Sequence, residues 1–120
     1  NESLLSIYYE VKRKGVEPMK PHVQNLRIAD VAKFSSDMVK NMFMYITDIN
    51  TQIQDKYAKS ILSSYGCEAA VVKRLNDNKY DWVGSIFCEF TRPIHVSEDE
   101  AREIMHRCAM NIQYLLPEYK

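Results

Sequence analysis

Glycine, proline and cysteine are all scarce in this chain of 120 residues, which holds three, four and three of them. So few glycines leave no Gly-rich phosphate cradle, no dinucleotide-binding fingerprint and no nucleophile elbow. The three cysteines, Cys67, Cys88 and Cys108, cannot all pair within one chain and include no Cys-x-x-Cys, which excludes a disulfide-dense scaffold and a zinc finger. A surplus of one charge is also missing. Sixteen basic residues balance sixteen acidic ones, which argues against a charge-driven nucleic-acid binder. Nor does any stretch approach the roughly 20 apolar residues of a membrane span. The longest such run is Met42-Phe43-Met44-Tyr45-Ile46, and no signal-peptide pattern opens the chain.

What remains is close to an average globular composition, 46% hydrophobic and 27% charged. Residues 1–120 are expected to form one small domain. The opening Asn1-Glu2-Ser3, without an initiator methionine, reads as an excised or processed fragment of a larger protein. An odd cysteine count without a leader points to a reducing compartment, cytoplasm or nucleus, and suits a viral or host-interacting protein as well.

The pattern of apolar residues predicts an α+β fold. Leu4, Leu5, Tyr8 and Val11 recur at helical spacing before Gly15, a natural helix stop. Pro18 and Pro21 make 16–26 an extended arm. From Val31 to Tyr65, apolar residues fall three or four apart, the signature of an amphipathic helix. Unbroken, 30–65 would extend about 52 Å. A bend is expected near Thr47–Thr51, where Asp48 or Asn50 could cap a second helix; the alternative is one long helix packed on another chain. Strands at about 67–75 and 80–91 form an antiparallel β-hairpin around Asn76-Asp77-Asn78-Lys79. The expected register opposes Leu75 to Tyr80 and Cys67 to Cys88. Ser97-Glu98-Asp99-Glu100 is a capping box opening a C-terminal helix over about 98–115. Three or four helices would therefore pack on the hairpin.

No residue pattern names a chemistry. Cys67, Cys88 and His95 could meet as a small metal or catalytic site, although buried free cysteines are ordinarily packing residues. Lys73, Arg74 and Lys79 with Tyr80 form a basic, aromatic hairpin tip that could contact nucleic acid. The sharper anomaly is Met44. On a helix its neighbours would be polar, so an apolar Phe43-Met44 face implies either a central helix or a partner. With Tyr8 and Tyr9, these residues are expected to anchor another protein, a second copy of the chain included. The expectation is a non-catalytic adaptor or assembly domain with no cofactor and no metal. Nucleic-acid binding and a small enzyme are the alternatives.

Overall fold

The computed structural model describes residues 3–117. Its elements are the short strands β1 (Leu4–Leu5) and β2 (Leu26–Arg27), then helix α1 (Ala32–Lys40), strand β3 (Phe43–Ile46) and helices α2 (Ile49–Gln52) and α3 (Lys56–Ser64). Strands β4 (Ala69–Asn76) and β5 (Trp82–Phe90) and helix α4 (Glu98–Gln113) follow, with 3₁₀ turns at Lys20–His22 and Ile28–Val31. The architecture is α+β, with antiparallel pairing throughout.

The N-terminal segment is extended rather than helical. Residues 3–7 find backbone partners in the Pro-containing arm. β1 pairs with β2, the Ile7 N–H donates to the Val23 carbonyl, and the Ile28 N–H donates to that of Ser3. The Gln24 side-chain amide donates to the Ile7 and Lys20 carbonyls, and the Asn25 N–H to the Ser6 hydroxyl. These bonds replace the i→i−4 ladder that a helix would need. Of the apolar stripe, Leu5 packs on the core while Leu4, Tyr8 and Val11 stand in solvent.

The long periodic run breaks into four pieces. Helix α1 ends at Asn41, which turns extended, and β3 follows. The Asp48 carboxylate caps α2 by accepting from the Asn50 N–H. Asp55 caps α3 by accepting from the N–H groups of Tyr57 and Ala58. A straight 52 Å helix would overrun a body measuring 37 × 35 × 27 Å. The run at 43–46 alternates between two buried faces. Phe43 and Tyr45 join one apolar cluster, while Met44 and Ile46 join another. A strand covered on both sides reads as continuously apolar, and that resolves the Met44 anomaly. Met44 is a strand residue, and no Phe43-Met44 helix face exists.

The sheet therefore has three strands in the order β3-β4-β5, not two. The β4–β5 register differs from the expected one. Cys88 faces Val71, and Ala69 faces Phe90, a slide of four positions from residue 67 to residue 71. The cause is the turn. Asp77 accepts from the Lys79 and Asp81 N–H groups through its carboxylate, and Tyr80 adopts φ 66°, so the loop takes in residues 77–81. An even slide keeps each side chain on its face. A register irregularity at Leu75/Asn76 then turns Trp82 toward the other side.

Helices cover both faces. Ala101 and Met105 of α4 pack on Val71, Phe43, Tyr45, Ile86 and Phe90. Phe34 and Met38 of α1, Ile49, Ile53, and Ala58 and Leu62 of α3 pack on Ala70, Val72 and Ile46. Helix α4 begins at Ser97, whose hydroxyl accepts from the Glu100 N–H and donates to the Glu100 carboxylate. Its far end is tied to the sheet by Gln113, whose Oε1 accepts from the buried Asn76 N–H at 2.8 Å. Replacing Gln113 with Ala would strand that N–H at the strand irregularity and cost about 1–3 kcal/mol in a denaturant titration. A loss under about 0.5 kcal/mol would show the bond to be dispensable.

Candidate functional site

A cleft of about 240 Å³ opens between α1, β3 and the corner joining α2 to α3. Helix α1 contributes Phe34 and Asp37, which share one helix face, and Asn41 follows at its C-cap. Met44, Tyr45 and Ile46 of β3 form the second wall, and Gln52, Ile53 and Asp55 the third. Phe34, Ile46 and Ile53 are buried and make the floor apolar, and the rim is polar. The rim groups differ in what they have left to offer. Gln52 Oε1 accepts from the Asp48 N–H at 2.7 Å and from the Thr47 hydroxyl at 3.0 Å. Asn41 Nδ2 donates to the Asp37 carbonyl. The Asp55 carboxylate accepts from the N–H groups of Phe34, Tyr57 and Ala58 at 3.0–3.1 Å and so ties α3 to α1. Burial works against its charge, but the N–H groups of Ala58, Phe34, Tyr57 and Lys33 outweigh that and hold its pKa below the usual carboxylate value. The Asp37 carboxylate makes no hydrogen bond among the described residues and is exposed at the rim.

The residues singled out from sequence are not brought together. Tyr8 and Tyr9 are 91% and 78% exposed on the N-terminal segment. Phe43 and Met44 point to opposite faces of the sheet. Phe43 lies under Arg102, whose guanidinium carbon sits 4.5 Å from the ring centroid, while Met44 lines the cleft. Lys73 and Arg74 likewise alternate across β4. The Arg74 guanidinium donates to the Val39 and Tyr80 carbonyls and to the Asn76 side chain, so its fork is spent on the chain itself. Burial, with the Arg102 charge nearby, lowers the Lys73 pKa. Lys79 and Tyr80 remain exposed in the β4–β5 loop.

Cys67 is buried, and its thiol donates to the Ala69 carbonyl. Burial, assisted by the Glu89 and Glu68 carboxylates, pushes its pKa up to about 11. Cys88 is exposed and opposite Val71 rather than Cys67, and His95 is exposed in the stretch before α4. No three His, Cys, Asp or Glu side chains among the described residues cluster as a metal site would require. Sequence reasoning missed Asp37, Asn41, Gln52 and Asp55, which look like ordinary helix-surface residues when 30–65 is taken as continuous helix. The one available signal was Asp55 as a cap, two residues before Tyr57.

No protein-family model and no curated protein matches the chain. Solved structures do. A phycocyanobilin-bound GAF domain of a cyanobacterial phytochrome aligns with TM-score 0.58 at 19% identity, covering 88% of this chain and 64% of that one. GAF3 of a Synechocystis protein, in its photoproduct state, aligns with TM-score 0.68 at 14% identity, over 88% and 68% of the two chains. A far-red-absorbing dark state with bound biliverdin aligns with TM-score 0.62 at 15% identity, over 91% and 72%. The fold is GAF-like. The chain spans 64–72% of the length of these three neighbours. This likeness corrects the expectation of a plain adaptor or assembly domain. The helix face on which the adaptor reading stood is a sheet strand, and the shared fold belongs to domains solved with bilins bound. No helix among the described residues is long and apolar enough to cross a membrane.

Two outcomes follow from the protonation states. Iodoacetamide at about pH 8 should leave Cys67 unmodified in the folded protein and label it after denaturation, as read by peptide mass spectrometry. Labelling of Cys67 in the folded state would show that its burial is wrong. Asp55→Ala should cost about 1–2 kcal/mol at neutral pH through the lost cap. A carboxylate with a lowered folded pKa stabilises above its unfolded value of about 3.9 and loses that contribution as pH falls through the folded value. The gap between parent and variant should therefore close on acidification, and a gap independent of pH would contradict the assignment.

Proposed function

We propose that this domain binds a small organic ligand in the cleft between α1, β3 and the α2–α3 corner, and serves as a sensory module rather than a catalyst. The observation that carries this reading is the cleft itself, apolar at its floor and polar at its rim, set between sheet and helices in a fold whose neighbours hold phycocyanobilin and biliverdin. Its volume of about 240 Å³ falls below the roughly 300–1,000 Å³ of drug-sized sites. The ligand is accordingly smaller than an open-chain tetrapyrrole. Asp37 favours a hydrogen-bond donor, and the free N–H groups of Gln52 an acceptor, at one edge of a ligand with an apolar body.

Binding rather than catalysis is supported by the states of Cys67 and Asp55. Cys67 is held as the thiol, and the oxygens of Asp55 are occupied by backbone N–H groups. Neither is poised as a nucleophile or a base.

The test is a thermal-shift screen of small heterocycles and amines, repeated on Met44→Trp. A ligand at 100 times its Kd stabilises by about 2.7 kcal/mol, a shift of several degrees. Filling the cleft from β3 should abolish the shift while circular dichroism stays that of the parent. Hits that bind folded Met44→Trp as well as the parent would place the ligand elsewhere and overturn the reading.

A further inference from the structure

A second cleft, of about 170 Å³, lies between α3 and the Pro-containing arm. Helix α3 supplies Tyr57, Ile61 and Ser64, which at i, i+4 and i+7 share one face, and Tyr65 follows at its C-cap. The arm supplies His22, Val23 and Leu26. Three of these seven side chains are aromatic. The His22 and Tyr65 rings meet with centroids 5.9 Å apart at 37°, a tilted wedge rather than a stack. Tyr57 remains 49% exposed although nothing in the helix requires an aromatic there.

The arm side is held firmly. Glu10 accepts from the Met19 and Lys20 N–H groups, which fixes the 3₁₀ turn that carries His22. The cleft offers ring faces and aliphatic carbon, and no carboxylate lines it. A primary ammonium would lose strong hydration here without a carboxylate to replace it. A methylated ammonium is weakly hydrated and gains from each ring face that it touches. The local field has the matching sign. Burial, then the carboxylates of Glu17 and Glu10, raises the pKa of the Tyr65 hydroxyl, so negative charge reaches this wall.

We infer that His22, Tyr57 and Tyr65 form an aromatic cage for a quaternary ammonium group. The site is separate from the α1–β3 cleft and does not depend on what that cleft binds.

The experiment is a titration of the whole chain at about pH 8. The probes are choline, trimethyllysine and the neutral isostere 3,3-dimethylbutan-1-ol, with the tyrosine resonances observed by NMR. Either cation should bind saturably, and the isostere at least ~5-fold more weakly. Tighter binding of choline assigns the site to a free small cation, and tighter binding of trimethyllysine to a modified side chain; both support the cage. Tyr57→Ala, at an exposed position, and His22→Ala should each weaken the cation by roughly 5- to 30-fold. Asp37→Asn, in the other cleft, should leave it unchanged. Absence of saturation up to about 20 mM, equal affinity for the isostere, or unchanged binding by folded Tyr57→Ala would each overturn the cage.

Discussion

Strand β4 must be buried on both faces at once, and the rest of the molecule is arranged around that requirement. Ala69, Ala70, Val71 and Val72 are each at most 2% exposed. A strand in that position needs backbone partners on both edges, supplied by β3 and β5, and an apolar layer against each face. The small side chains of β4 let those layers come close. On one side α4 answers with Ala101 and Ala109, both buried. On the other, larger residues of α1 and of the α2–α3 corner fill the space. The two clusters lie on opposite faces of the same three strands, with Val71 of β4 in one and Val72 in the other.

Helix boundaries in this chain are set by single polar residues rather than by propensity. Asp48, Asp55 and Ser97 each satisfy N–H groups that would otherwise be orphaned at a helix start. Asp55 does more than cap, because its second oxygen accepts from Phe34 and fixes the angle between α3 and α1. That angle defines the first cleft. Nine residues of α3 would not hold a helix alone in water, so its form depends on this cap and on the packing of Ala58 and Leu62.

These same facts explain how much of the structure could be read from the residues. The mixed α+β class was legible because composition and turn residues change character after Gly66. The segment 30–65 was not. Its apolar residues satisfy the 3.6 period across α1, α2 and α3, and β3 contributes a run apolar at every position, which fits either period. The breaks depend on Asn41 turning extended and on Asp55 acting as a cap, and neither residue type is decisive alone. The segment 4–11 misled for the opposite reason. Its helical spacing is real, but the arm offers backbone partners that no local pattern reveals. The register of β4 against β5 depends on a five-residue turn organised by Asp77, and sequence alone allowed shorter ones. Neither cleft was legible, because each joins residues from elements whose packing the periodicity did not define.

The polar groups of the first cleft differ in how far they are already engaged. A carboxylate has about four acceptor sites. Asp55 uses its own on the N–H groups of Phe34, Tyr57 and Ala58, and its ionised form is therefore part of the scaffold. A ligand that competed for those bonds would unfasten α3 from α1 and lose the cleft that receives it. Asn41 and the carbonyl oxygen of Gln52 are likewise committed to closing α1 and the β3–α2 turn. What remains for recognition is Asp37 at the rim, the Gln52 amide donors and the apolar floor of Phe34, Ile46 and Ile53. Under the proposed function, that division would make the cleft selective for one edge of a ligand and leave its body to shape and apolar contact.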